Sequence, residues 1–282
     1  MRILITGAQG QLGNAVRRIL SQEDLILEDL PHFDLTNPDC EHQIRKANPE
    51  IILHLAAYTN VDQAERDPDQ AYAINVQGTR RVAQAAQAIK ARLLYISTDY
   101  VFDGTKGRPY DEHDIPHPLN HYGRSKYQGE QAVLELCPNS LIVRTAWLFG
   151  HDGHNFVKTI MRLAQEKTAL DVVDDQRGCP TYAEDLGRAL QQLVQSDLEG
   201  ICHVTNGGDC TWFEFAQAIV GEIGASAAVR PITTAQAARP AKRPAYSVLS
   251  QGRFLTRCAA LPDWRDALKR FVSHVPNPVL PA

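Results

Sequence analysis

Tyr122 and Lys126 stand four residues apart in His121-Tyr122-Gly123-Arg124-Ser125-Lys126, a spacing that on a helix puts a phenol and an ammonium on one face. That pair can make a proton donor. A free phenol titrates near pH ~10, and a fixed positive charge within a few ångströms favours the phenolate and brings the group towards the range useful for acid catalysis. Alone, the same spacing also describes a surface tyrosine beside a solvated lysine. What tips the reading towards chemistry is the beginning of the chain.

Arg2-Ile3-Leu4-Ile5-Thr6 reads as a short buried strand that runs straight into Gly7-Ala8-Gln9-Gly10-Gln11-Leu12-Gly13 and an apolar-periodic helix through Leu20. This is the pattern of a nucleotide-phosphate cradle. Gly7 permits a tight turn, Gly10 lets the backbone approach a pyrophosphate, and Gly13 allows close helix-to-strand packing, while the helix start offers unpaired N–H groups to the anion. The spacing is Gly-x-x-Gly-x-x-Gly and departs from the Gly-x-Gly-x-x-Gly dinucleotide fingerprint.

The elements that must position these groups alternate as strand and helix, which predicts a Rossmann-like doubly wound parallel sheet with a smaller C-terminal α/β lobe for substrate. Leu25 to Leu27 is a second strand, followed by Asp29 and Asp34, either of which is placed to meet an adenosine ribose. Ile51 to Leu55 is a third, ending in the small residues Ala56-Ala57 before Tyr58-Thr59. A helix over Asp69 to Ala91 carries Asn75 among apolar neighbours, and the strand Leu93 to Ser97 delivers Thr98, Asp99 and Tyr100 to the carboxyl edge, where open parallel sheets bind ligands. Helices over Phe156 to Gln165 and Ala183 to Leu193 flank a strand at Leu170 to Val173. These are expected to complete a dinucleotide-binding domain over residues 1–197, with substrate-contacting insertions around 147–155. The smaller lobe is expected over 198–282, with His203-Val204-Thr205 as a strand and Thr211 capping a helix. Arg239 to Pro244 suits either a basic loop near a diphosphate or a solvated linker, and the tail with Pro276, Pro278 and Pro281 is expected to lack order.

Composition narrows the class. With 282 residues, 44% of them hydrophobic, the chain can bury a large core. A net charge of −4, from 29 basic and 33 acidic side chains, offers no global field for nucleic acid or an anionic membrane, so an anionic ligand needs a local site. No apolar run has the length of a membrane span and no signal peptide precedes the first strand, so the expected location is cytoplasmic. Six scattered cysteines without a Cys-x-x-Cys pair point to reduced thiols and no metal cluster. The His117/His121 and His151/His154 pairs are interrupted by Pro118 and Gly153, which removes a reliable helical face for a metal.

Taken together, the glycine run, Ser97-Thr98-Asp99-Tyr100-Val101-Phe102-Asp103-Gly104, Tyr122-x-x-x-Lys126 and Arg144-Thr145-Ala146-Trp147 resemble the extended short-chain dehydrogenase/reductases. Within that superfamily the chain is most similar to the dTDP-4-dehydrorhamnose reductase family, over Met1 to about Asp266. The similarity includes Asp174-Asp175-Gln176-Arg177-Gly178-Cys179-Pro180-Thr181 and Arg243-Pro244-x-x-Ser247-x-Leu249. The resemblance implies reduction of the C4 ketone of dTDP-4-dehydro-6-deoxy-L-mannose to dTDP-L-rhamnose by NADPH or NADH. It implies Thr98, Tyr122 and Lys126 as catalytic residues. Gly7, Gly10, Gln11, Leu12, Gly13, Asp34, Leu35, Ala57, Tyr58, Thr59 and Ile96 would line the cofactor together with Tyr122 and Lys126, and Thr98, Asp99 and Trp147 would meet the sugar nucleotide. Asn75 is either a proton carrier or a buried amide bonded to backbone. Asp99 is followed by Tyr100, where a 4,6-dehydratase carries glutamate, which argues against dehydration. Epimerisation on the same fold, and a non-catalytic regulatory subunit of the kind that binds methionine adenosyltransferase, stay open. So do NADH against NADPH preference and the oligomer, a homodimer being compatible with the pattern.

Overall fold

The computed structural model describes residues 1–275. The expected disorder at Pro276, Pro278 and Pro281 lies outside the described residues. Strand β1 (Arg2–Thr6) enters helix α1 (Gln11–Ile19), and β2 (Asp24–Glu28), α2 (Asp39–Ala47) and β3 (Ile51–His54) follow. Three helical pieces, α3 (Val61–Arg66), α4 (Pro68–Tyr72) and α5 (Thr79–Ile89), precede β4 (Arg92–Thr98). A π-helical turn over Ala73–Gly78 joins α4 to α5, so the helix expected over 69–91 is widened around Asn75, as helices often are at functional positions. Then come α6 (His121–Leu136), β5 (Leu141–Thr145), β6 (Leu148–Phe149), α7 (Phe156–Glu166), β7 (Ala169–Val173), β8 (Arg177–Gly178), β9 (Thr181–Tyr182) and α8 (Ala183–Gln195). The chain closes with β10 (Gly200–His203), β11 (Cys210–Thr211), α9 (Trp212–Glu222), β12 (Ala228–Ile232), α10 (Thr234–Ala237) and α11 (Trp264–Ser273).

Strands apolar on both faces must be covered on both. Ile3, Ile5, Leu53, Leu94 and Leu141 pack with Leu12 and Val16 of α1 and Leu186 and Leu190 of α8. Their neighbours one residue along, Leu4, Ile52, Leu93, Tyr95 and Ile142, pack on the opposite side with Ile44 of α2, Val82 of α5 and Val133 of α6. Each such side chain, once fully buried, contributes about 1.5–3 kcal/mol, and the two layers clamp one parallel sheet in the order β10-β5-β4-β3-β1-β2. The chain goes from β1 outward to β2 and then returns to the other side of β1 with β3, which opens a crevice at the carboxyl ends of those strands.

A second core gathers Val157, Ile160, Leu170, Phe215, Ile219, Trp264 and Phe271 from α7, β7, α9 and α11, roofed by the parallel pair β7 and β12. The division expected between residues 197 and 198 is therefore not the one that packing draws. α7 and β7, expected in the dinucleotide domain, belong to the second core, whereas Gly200–His203 is the sixth strand of the main sheet beside β5. A short apolar run marks a strand without saying which sheet it joins. Thr211 caps α9 as expected, in a reciprocal capping box with Glu214.

Candidate active site

The glycines at the end of β1 play three different roles. Gly7 has φ +70°, and a Cβ there would lie 2.7 Å from Ala56 N, so both its conformation and its closeness to the end of β3 require glycine. A Cβ on Gly13 would fall 2.1 Å from Gly7 O, which is how closely α1 sits on the turn. Gly10 has an ordinary φ of −69° and would meet only Gly7 O at 3.2 Å, so its missing side chain leaves room on the ligand side. The N–H groups of Gln11, Leu12 and Gly13 have no partner among the described residues, and the first intrahelical bond is Asn14 N–H to Gly10 O at 3.0 Å. Three convergent donors on an unhindered helix start suit a diphosphate.

Gly7, Gly10, Gln11, Leu12 and Gly13 line one end of a cavity of about 780 Å³ that continues past Asp34, Leu35, Ala57, Thr59 and Ile96 to Thr98, Asp99, Tyr122, Lys126 and Trp147. That volume lies in the range of small-molecule and cofactor sites. Both acidic candidates reach the wall and both are anchored. Asp29 accepts from Gln9 N–H at 2.7 Å and Leu30 N–H at 2.8 Å, and Asp34 Oδ1 accepts from the Thr36 N–H and hydroxyl, each at 2.8 Å.

Tyr58 is the expected cofactor-lining residue that the cavity leaves out. Its N–H donates to Asn75 Oδ1 at 2.8 Å and its carbonyl accepts from Asn75 Nδ2 at 3.0 Å, which turns that stretch of backbone towards the π-helical turn. Asn75 Nδ2 also donates to Ser125 Oγ at 2.9 Å, and the side chain is buried. Of the two readings of Asn75, the buried amide bonded to backbone is the one the coordinates carry. It ties the loop after β3 to the first turns of α6, and so to Tyr122 and Lys126.

α6 begins at the Asn120 cap, whose Oδ1 accepts from Gly123 N–H at 2.7 Å. Gly123 allows this helix to rest on the turn after β4, since a Cβ there would lie 2.2 Å from Tyr100 O. Tyr122 and Lys126 thereby share a wall with Thr98 and Asp99. The electrostatics differ from the sequence expectation of a phenol drawn down by its ammonium neighbour. Burial pushes Tyr122 up to about 12, against a smaller lowering by a hydrogen bond with Thr98. Burial likewise brings Lys126 down to about 7, opposed by the charge of Glu130. The lysine Nζ donates to Ile96 O at 2.7 Å. A raised pKa keeps the phenol protonated near neutrality, which is the form that can give a proton to a ketone oxygen. Asp99 is pushed up to about 7 by burial, while Ser247 Oγ donates to it at 2.5 Å and Thr98 Oγ1 at 3.1 Å.

Trp147 closes the far end with a left-handed backbone, φ +46°, and its ring stacks on Trp212 with centroids 3.5 Å apart. Gly178 leaves the ring its place, because a Cβ there would come within 2.6 Å of it. Trp212, Thr145 and His154 also line the cavity and were absent from the sequence-derived set. Thr145 adjoins Trp147 in Arg144-Thr145-Ala146-Trp147, and His154 falls in the stretch 147–155 expected to contact substrate, so both carried a signal. Trp212 carried none, because its place depends on how the second core docks. The basic loop has a partner other than a diphosphate: Arg239 Nε and Arg243 Nη2 donate to Asp62 of α3 at 2.8 and 3.1 Å. Among the described residues no three His, Cys, Asp or Glu side chains cluster as metal ligands.

A family model described as RmlD substrate binding domain matches residues 1–276. The dTDP-4-dehydrorhamnose reductase of Aggregatibacter actinomycetemcomitans is 42% identical, over 97% of this chain and 99% of that protein. Among solved structures, dTDP-4-dehydrorhamnose reductase from Bacillus anthracis in complex with NADP is similar with a TM-score of 0.94 at 43% identity, covering 97% of this chain and 99% of that one. An ortholog from Clostridium acetobutylicum gives a TM-score of 0.93 at 39% identity with the same coverage.

Proposed function

The chain belongs to the RmlD substrate binding domain family, and from that premise we propose that it reduces the C4 ketone of dTDP-4-dehydro-6-deoxy-L-mannose to dTDP-L-rhamnose with NADPH or NADH. The observation that carries the reading is one continuous cavity with a phosphate cradle at one end and Thr98, Tyr122 and Lys126 together on its wall. Support for a nicotinamide dinucleotide comes from the unpaired N–H groups of Gln11, Leu12 and Gly13 and from the space left by Gly10. The reduced nicotinamide, when bound, supplies a hydride to the ketone carbon. Tyr122 gives its phenolic proton to the ketone oxygen, and the Thr98 hydroxyl hydrogen-bonds the charge that grows there. Lys126, charged, stabilises the phenolate left behind. Trp147 walls the sugar, and Asp99, held by Ser247, offers it a polar contact.

The residue after Asp99 on the cavity wall is Tyr100 in place of a carboxylic acid, which argues against dehydration. A cytoplasmic setting is supported by six cysteines that are all free thiols, five of them buried. Among the described residues no helix is long and apolar enough to cross a membrane. The test is to incubate the purified chain with dTDP-4-dehydro-6-deoxy-L-mannose and each reduced nicotinamide. The expected result is loss of nicotinamide absorbance with formation of dTDP-L-rhamnose. Failure to oxidise either nicotinamide would overturn the reading and favour a regulatory role.

A further inference from the structure

Among the described residues, Lys126 is a buried cation without a carboxylate of its own. The side chain is only 2% exposed, and the nearest acid on its helix, Glu130, is spent on Arg144 through two bonds of 2.8 and 2.7 Å. Further along α6, Glu135 pairs with Arg80 of α5 at 3.2 Å. On the elements packed against α6, Glu65 of α3 accepts from His121 N–H at 2.7 Å, Asp62 holds Arg239 and Arg243, and Asp69 of α4 is exposed to solvent. Asp99, after β4, is occupied by Ser247 and Thr98. What meets the ammonium is the Ile96 carbonyl and the face of an aromatic ring: Nζ lies 4.1 Å from the centroid of Tyr95.

Tyr95 is an unusual core residue. It is fully buried, its hydroxyl makes no well-formed hydrogen bond among the described residues beyond an approach to Thr79, and Gly129 must lack a side chain to admit it, since a Cβ there would stand 2.5 Å from that oxygen. Leaving a buried hydroxyl unpaired opposes folding, and phenylalanine would fill the same place without that cost. The ring, by contrast, has two neighbours of consequence. It stacks on His54 at 5.4 Å, and His54 is fixed by Thr6 Oγ1 at 2.7 Å and Thr79 Oγ1 at 3.1 Å. Burial, then the charge of Lys126, lowers His54 to about 3, so a neutral imidazole backs the ring and adds no positive charge.

We propose that Tyr95 is a positioning residue for the reduction, its ring face holding the Lys126 ammonium charged and aimed into the cavity while its hydroxyl takes no part. The inference rests on the reductase reading for its consequence. A desolvated aromatic face favours the charged form of an ammonium, so removing it lowers the pH at which Lys126 loses its proton by about 0.5–1.5 units.

The test is the pH dependence of kcat/KM and, separately, of the NADPH dissociation constant followed by quenching of protein fluorescence. Tyr95→Phe should leave both alkaline limbs in place. Tyr95→Leu should move them to lower pH by that amount, with a melting curve verifying a folded chain. Pentafluorophenylalanine at position 95 keeps the ring's shape while reversing the charge of its face, and should shift the limbs in the same direction even if the leucine variant does not fold. Unmoved limbs in the fluorinated variant, or a phenylalanine variant that behaves like the leucine one, would overturn the proposal. Wild-type chain that binds NADPH but reduces no ketone would remove the reductase reading alone, because the binding curves still score Tyr95.

Discussion

Asn155 Nδ2 donates to Gln11 Oε1 at 2.8 Å and to Gly150 O at 2.8 Å, joining the first residue of the phosphate-cradle helix to the start of a helix in the second core. The same side chain caps α7, its Oδ1 accepting from Lys158 N–H at 3.0 Å. One amide thus sets the cofactor end against the substrate lobe. Asn155→Ser should keep the cap and lose the bridge, raising KM for both cofactor and sugar nucleotide several-fold with little change in melting temperature. Asn155→Ala should add a loss of about 1 kcal/mol in stability. Steady-state kinetics beside thermal melts separate the two effects, and a serine variant with wild-type KM values would show that the bridge does not position the lobes.

The glycines should divide by experiment as they do by geometry. Gly13→Ala places a methyl 2.1 Å from Gly7 O and is expected to cost the fold about 1–3 kcal/mol or more. Gly10→Val meets only one carbonyl at 3.2 Å and should fold, yet bind NADPH far more weakly because the side chain enters the cradle. Denaturant melts and NADPH titration score the pair, and undiminished affinity in the Gly10 variant would remove the phosphate assignment.

Tyr122→Phe keeps the ring that meets Tyr100 edge-on at 5.9 Å and takes away only the proton donor. NADPH affinity should be retained while kcat falls roughly 10²–10⁴-fold. Near-normal turnover in this variant would assign the proton to another group.

Asp99 offers a prediction about stability and pH. Burial raises its carboxyl to about 7 in the folded chain, whereas an unfolded aspartate titrates near ~3.9. Between those values the folded state holds the extra proton, so stability falls as pH rises through that window and the deficit is complete above about 7. Asp99→Asn cannot ionise. Its melting temperature relative to wild type should therefore be higher at about pH 8 than at about pH 5, even as sugar-nucleotide KM rises. A difference in melting temperature that does not vary with pH would contradict the raised carboxyl.

Local chemistry was legible in the residues themselves. Gly7 and Gly13 declare a turn and a close approach because no other side chain tolerates φ +70° or a carbonyl 2.1 Å away, and Tyr122 and Lys126 share a helical face by spacing alone. Short apolar runs likewise announced the buried strands and helical periodicity the helices, because the pattern of apolar residues reports burial directly. What period does not report is the partner. Gly200–His203 joined the main sheet, and α7 with β7 left it, through contacts between segments far apart in the chain. Tyr58 turned away from the cavity because Asn75, on a widened helical turn, took both of its backbone groups. Trp212 came to the cavity only when the second core docked. Charge state was the least legible of all: burial, and not the ammonium expected to govern it, sets the Tyr122 phenol, and the ring and carbonyl that meet that ammonium lie on strand β4. Residue type and spacing act over one turn of helix, whereas desolvation and docking depend on everything packed around the site, and those the tertiary structure alone decided.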